Sequence, residues 1–324
     1  MAKYFCTLFD RNYFLKGLAM IQSLKMHCSD AYVYVLCMDD LTKEILEKFH
    51  LDYVTCLTLA QVEDEALLAV KQSRSMAEYC WTLSPCLPWY ILQRNHEVDS
   101  IVYLDADLFF YSSLQPLFDE VADSSITIIE HRFPPALSHL EVNGRFCVEW
   151  VGFRRDRQGM KCLQRWREQC IEWCFHRLEF DRMGDQKYLD KWPGEYEKLH
   201  ILQHFGAGIA PWNYGGYSFD LDHNGDITVN KQPLIFYHFH QFQLLSNGQF
   251  DRLSDAYRIL GPEPKKVYEV YERAVEQALL QVRRFSPEFS YGMRPYMKIK
   301  VQRLFQKFLP EKIKVLLKKF IKAV

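Results

Sequence analysis

The sequence predicts an α/β protein whose mainly parallel sheet is covered by helices on both faces, with a helical extension towards the C-terminus. Two observations carry that expectation. Short apolar, β-rich runs alternate with helical stretches through the first third of the chain, and strands joined through helices pair in parallel with both faces buried. After GPEP at 261–264 the pattern becomes one long helical run. The 324 residues are 48% hydrophobic and 15% aromatic, enough core material for one large domain or two ordinary ones, which excludes disorder as the main state.

KYFCTLF (3–9) and YVYVLCM (32–38) read as strands, and Phe14, Leu18, Ile21 and Leu24 share one side of the helical stretch between them, giving a βαβ unit. LTKEILEKF (41–49) reads as a second helix, followed by a strand near Tyr53, a long helical region from about 60 to 94 and the strand SIVYLD (100–105). SITIIE (125–130), FCVEWVGF (146–153), LHILQH (199–204) and PLIFYHFH (233–240) continue as strands, with a helix over 158–176. The expected division is a sheet domain over 1–250, a helical extension over 251–296 and a basic tail over 297–324.

The formal net charge is −1, which excludes a surface suited overall to gripping a nucleic acid backbone. Residues 298–324 nevertheless hold eight Lys, Arg303 and only Glu311, a local +8, leaving 31 basic against 40 acidic residues elsewhere. No window reaches the roughly 18 apolar residues of a membrane span, and the first residues lack the zones of a signal peptide. Ten cysteines without a CxxC pair fit a reduced, cytoplasmic protein.

In such a sheet, ligands sit beyond the carboxyl ends of the strands. IVYLDADLFFY (101–111) ends a buried strand in two carboxylates, Asp105 and Asp107. Paired oxygen ligands at that place suit a divalent cation that also takes oxygens from a diphosphate. The alternative is a pair of turn caps. PLIFYHFH places His238 at the end of a later strand, with His240 two residues on; a His there is either a structural hydrogen-bonding residue or a ligand. GDQKYLDKWP places Asp185 and Gln186 at a helix start, where an Asp also serves as an N-cap.

TLFDRNYFLKGLAMIQSL, AEYCWTLSPCLPWYIL, YLDADLFFYSSLQPLF, FRRDRQGMKCLQRW, GDQKYLDKWP, APWNY and FYHFH follow one another over residues 3–245. In that order they resemble the GT-A fold glycosyltransferases, in particular the retaining family 8 enzymes and related bacterial nucleotide-sugar transferases. The resemblance implies that Asp105 and Asp107, with His238 (or His240) as third ligand, bind a divalent cation that holds the diphosphate of a nucleotide sugar, a UDP-sugar being favoured. Mixed carboxylate and imidazole ligation favours Mn²⁺ over Mg²⁺. It further implies that Asp185 and Gln186 lie against the transferred sugar, that Thr7 and Tyr13 flank the nucleotide base, and that Arg74, one turn from Lys71, reaches the sugar or phosphates. Asn213 matches a WN pair of the family. One departure stands out: where family 8 members read Asn-Ala-Gly after the metal strand, this chain has Cys147, Val148 and Glu149. Glu149 then reads as a new sugar contact or a base.

In the tail, Ile313, Leu316, Leu317, Phe320, Ile321 and Val324 fall on one side of a helix, with Lys312, Lys318, Lys319 and Lys322 off that stripe. Met297, Val301, Leu304, Phe305 and Phe308 repeat the pattern before Pro310. Such helices lie on anionic membranes or, alternatively, pack on their own domain. The expectation is a peripheral enzyme at the inner face of the cytoplasmic membrane, acting on a glycan or lipid-linked glycan. A nucleotidyltransferase would carry a glycine-rich phosphate loop near the first strand, and TLFDRNYF has no glycine. A membrane-binding protein with a degenerate catalytic domain would have lost a metal ligand.

Overall fold

A computed structural model describes residues 2–301. The chain runs β1 (Lys3–Phe9), α1 (Phe14–His27), β2 (Ala31–Cys37), α2 (Asp40–Glu47) and β3 (Val54–Thr58), then three helices, α3 (Leu59–Val62), α4 (Glu65–Lys71) and α5 (Met76–Arg94). Next come β4 (Ser100–Leu104), β5 (Leu108–Phe110), α6 (Gln115–Glu120), β6 (Ile126–Glu130), β7 (Phe146–Arg154), α7 (Arg157–Glu172), α8 (Trp192–Glu195) and β8 (Leu199–Ile201). Short strands β9 (Phe219–Leu221), β10 (Ile227–Val229), β11 (Gln232–Pro233), β12 (Phe236–His238), β13 (Gln243–Leu244) and β14 (Phe250–Asp251) precede α9 (Lys265–Arg283).

The main sheet has the order β3-β2-β1-β4-β7-β6-β8. Its neighbours are parallel except at β7, which runs antiparallel to both β4 and β6. The mainly parallel α/β sheet expected from the sequence is therefore present, and the one reversed strand matters for the site. Because β7 is reversed, its first residues, not its last, lie beside the carboxyl end of β4, with Leu104 opposite Trp150.

Strand alternation sends Phe5, Val33 and Val35 into one apolar cluster with α1 and α9, and Cys6, Tyr34 and Leu36 into another with α5 and α7. Val267, Tyr271, Val275 and Val282 of α9 are buried in the same cluster as Phe14 and Leu18 of α1. The ten cysteines are free. Among the described residues, no helix is long and apolar enough to cross a membrane.

Two elements differ from the sequence pattern. The helical region expected over 60–94 is cut twice: Asp64 caps α4 by accepting from Leu67 N, and a Ser75/Glu78 capping box restarts the chain as α5. The strand expected over 233–240 is divided, since β11 pairs with β10 while β12 pairs antiparallel with β5, both outside the main sheet. The basic tail falls mostly on residues 302–324, outside the described residues; residues 296–301 begin a helix.

Candidate active site

The site is built where β4 ends. Asp105 and Asp107 lie in the turn between β4 and β5, and Asp105 N donates to the carbonyl of Glu149 on the reversed strand β7. Pairing of β5 with β12 sets His238 opposite Leu108, and Phe239 N donates to the Asp107 carbonyl at 2.8 Å. Trp150 stacks on Phe236 with centroids 5.8 Å apart, tying β7 to β12. Three distant segments thus bring together Asp105, Asp107, Glu149 and His238.

His238 is buried between carboxylates. One imidazole nitrogen, Nε2, stands 3.0 Å from Asp107 Oδ1 and 3.9 Å from Asp105 Oδ2, and the other, Nδ1, 2.7 Å from Glu149 Oε2. Burial alone would lower the imidazole, but Asp107 and the surrounding hydrogen bonds outweigh it and hold His238 well above its ordinary value. Burial likewise works against the Asp107 carboxylate, and the charge of His238 with that of Lys16 reverses it, holding Asp107 low. For Asp105, burial prevails over His238, and its carboxyl is pushed up to about 7. Glu149 is fully buried, and its Oε1 has no hydrogen-bond partner among the described residues.

Donors for a divalent cation are present in this cluster. One ligating atom each from Asp105, Cys147 and His238 lie within 4.8 Å of one another, close enough for a single ion to bridge them. Asp107 is not in that set, but shares His238 with it. A carboxylate, an imidazole and a thiol, with a second carboxylate behind the imidazole, are donors suited to such an ion.

Asp185 precedes a short 3-10 helix (Gln186–Lys191) without capping it through its side chain. It is buried, and burial, opposed by the Ser84 hydroxyl, pushes it up to about 7. Its charge adds to those that raise Asp105. Gln186 Nε2 donates to the Asn143 carbonyl and holds the loop ahead of β7. Thr7 is fully buried on β1 with no partner for Oγ1 among the described residues, whereas Tyr13 is 43% exposed.

Other expected site residues are engaged elsewhere in the described structure. Arg74 lies on Phe175 at 3.8 Å and donates to the Ile171 carbonyl, so its guanidinium meets the end of α7. Lys71 pairs with Glu63 at 2.6 Å. The Asn213 amide accepts from Ala210 N and donates to the carbonyls of His131 and Gly208, which fixes the chain behind Trp212. His240 packs against Trp212 and His238, and burial with the His238 charge lowers it to about 4.

The sequence reading did not single out Lys16. It sits in α1, a helix buried over nearly its whole surface, with Nζ 3.8 Å from Asp107 Oδ2 and 4.5 Å from the Tyr13 ring centroid. The available signal was that a lysine in so apolar a helix needs a counter-charge. A second unforeseen feature is the segment after α9. Phe289 packs on Phe14 at 5.9 Å, Arg11 covers Tyr291, and Gly292 (φ 77°) passes so close to the Asn12 carbonyl that a Cβ would collide with it. The chain therefore approaches the basic tail along the loop that follows β1.

The raised groups make stability depend on pH. Asp105 and Asp185 retain protons in the folded, metal-free protein that the unfolded chain releases. Their contribution is complete below roughly pH 4 and is lost as pH rises through about 7. His238, also raised, acts in the same direction at higher pH. Asp105 keeps 30% of its side-chain surface, so Asp185 carries more of the effect. Calorimetry of the metal-free protein should show a higher melting temperature near pH 5 than near pH 8, with a smaller difference in Asp185→Asn.

The profile described as glycosyl transferase family 8 matches residues 6–138. Two proteins of Bacillus subtilis strain 168 are similar along nearly their whole length. The uncharacterized protein YfnD is 32% identical over 90% of this chain and 94% of its own, and the uncharacterized protein YfnF is 28% identical over 90% and 97%. Among solved structures, the glycosyltransferase GlyE of Streptococcus pneumoniae TIGR4 superposes with a TM-score of 0.51 at 14% identity, covering 90% of this chain and 65% of that one. That likeness is one of fold.

Proposed function

The chain belongs to glycosyl transferase family 8, and from that premise we propose that it transfers a sugar, with retention, from a nucleoside diphosphate sugar, a UDP-sugar in this reading, to a lipid-linked glycan at the inner face of the cytoplasmic membrane. The observation that carries the reading is the meeting of Asp105, Asp107 and His238 at the carboxyl end of β4. Asp105 and His238, with Asp107, hold the divalent cation, and the imidazole favours Mn²⁺ over Mg²⁺. A cation there offsets the negative charge that develops on the departing diphosphate.

Glu149 holds the proton on Nδ1 of His238 and so directs Nε2 towards the aspartates. Full burial behind the imidazole favours this positioning role over a sugar contact or a base. Lys16 balances the charge of Asp107. Asp185, with Gln186 behind it, faces the transferred sugar. Thr7 and Tyr13 lie at the base end of the donor, and Asn213 frames the wall that carries Trp212. The catalytic unit spans residues 1–250 and the helical extension 251–296, and residues 297–324 bind anionic lipid.

The test is a panel of sugar nucleotides, scored for slow cation-dependent hydrolysis by the intact chain and by a chain ending at residue 296. One donor should be hydrolysed by both, because the proposed site lies before the cut. Only the intact chain should bind anionic vesicles, with binding weakened by salt. Transfer to a lipid-borne acceptor should fall on truncation through lost surface concentration. Hydrolysis of no donor would sink the transferase reading. An intact chain that ignores anionic vesicles, beside a shortened one that melts lower, would assign the tail to packing.

A further inference from the structure

We propose that Cys147 is itself a ligand of the divalent cation, and that its sulfur strengthens the preference of this site for borderline-soft ions such as Co²⁺ and Zn²⁺ over Mn²⁺ and Mg²⁺. The inference rests on the cation reading of Asp105 and His238 and goes beyond it. Cys147 and Glu149 are two residues apart on β7, so their side chains leave the strand on the same face. Glu149 reaches Nδ1 of His238 from there, which brings the Cys147 sulfur to the same imidazole. Asp105 approaches from the end of β4, and the three ligating atoms fall within 4.8 Å. No other three such side chains among the described residues bring their ligating atoms within that distance of one another, although the chain has ten cysteines.

A buried cysteine is often only a small apolar residue. Here its neighbours are a carboxylate and an imidazole whose Nδ1 is fixed by Glu149, the surroundings of a metal-binding histidine. On binding, the sulfur–metal bond forms as the thiol proton is released to solvent, and the cation offsets the new thiolate charge. Thiolate and imidazole donors suit Zn²⁺ and Co²⁺, whereas Mg²⁺ demands oxygen. The donor set therefore differs in kind from one of oxygen and imidazole alone.

The test is titration of the full-length, metal-free chain with Co²⁺, followed by absorption, with Zn²⁺ as competitor. The wild type should show a near-ultraviolet sulfur-to-cobalt charge-transfer band that saturates at one equivalent and is abolished by Zn²⁺. Cys147→Ser should lose that band and bind Co²⁺ at least about tenfold more weakly. Cys147→Ala, which places no hydroxyl in the buried site, should do the same. Asp105→Asn should weaken binding yet keep the band at saturating Co²⁺, because the sulfur remains. A band that survives in both cysteine variants, or Co²⁺ bound by the wild type without one, overturns the ligand role of Cys147 and leaves the cation reading intact. Failure of the wild type to bind any of Co²⁺, Zn²⁺ and Mn²⁺ overturns both.

Discussion

Asp105→Asn should lower the turnover of sugar transfer by at least about 100-fold, the usual consequence of removing one strong electrostatic element from an active site. The substitution keeps size and shape while removing a charge from the end of β4, where His238 Nε2 stands 3.9 Å away. Asp107→Asn should cost a similar factor, but the two variants should part in stability. Asp107 is the counter-charge of both Lys16 and His238, so its loss leaves a buried ammonium without a partner, and the protein should melt lower. Asp105 is a carboxyl that burial pushes up to about 7, so its loss relieves the metal-free protein above neutral pH, and the melting temperature should hold or rise there. Kinetics with and without EDTA, with melting curves at pH 8, check both. Full activity in EDTA, or an Asp105→Asn enzyme within about tenfold of the wild type, would remove the cation from the mechanism.

The first strands were legible because their apolar runs are short, β-rich and bounded by turn residues: KYFCTLF coincides with β1 and YVYVLCM falls within one residue of β2. The helical region from 60 to 94 was legible only as helical, since the breaks at Asp64 and Ser75 rest on side-chain capping that a periodicity does not register. At the site, the strand ending in Asp105 and Asp107 announced itself through an abrupt change from apolar to acidic. The position of Glu149 did not, because the apolar pattern of FCVEWVGF marks a strand without giving its direction. Reversal of that one strand turns its early residues towards β4, and what read as a sugar contact or a base stands behind an imidazole. Arg74 and Asn213 illustrate a second limit. The family resemblance associated them with the donor site, whereas in the structure their polar atoms bind Ile171, Ala210, Gly208 and His131.

Asp185→Asn should reduce turnover strongly while leaving donor affinity nearly unchanged, a split that separates a residue acting on the sugar from one that supports the fold. The residue is 5% exposed and its side chain makes no capping hydrogen bond to the helix it precedes, although the Asp185 carbonyl accepts from Trp166 Nε1 at 2.9 Å. The backbone link fixes the residue, and burial of the carboxyl, outweighing the hydrogen bonds of Ser84 and the backbone that favour its charged form, pushes it up to about 7. A carboxyl so placed is costly to keep charged, and removing its charge should stabilise the metal-free protein above neutral pH. A cap would behave in the opposite way. Its loss in Asp185→Ala would cost about 0.5 to 2 kcal/mol of stability and spare turnover. Steady-state kinetics and donor binding for both variants, with melting at pH 8, distinguish the two. Normal transfer by Asp185→Asn and Asp185→Ala would place this residue outside the site.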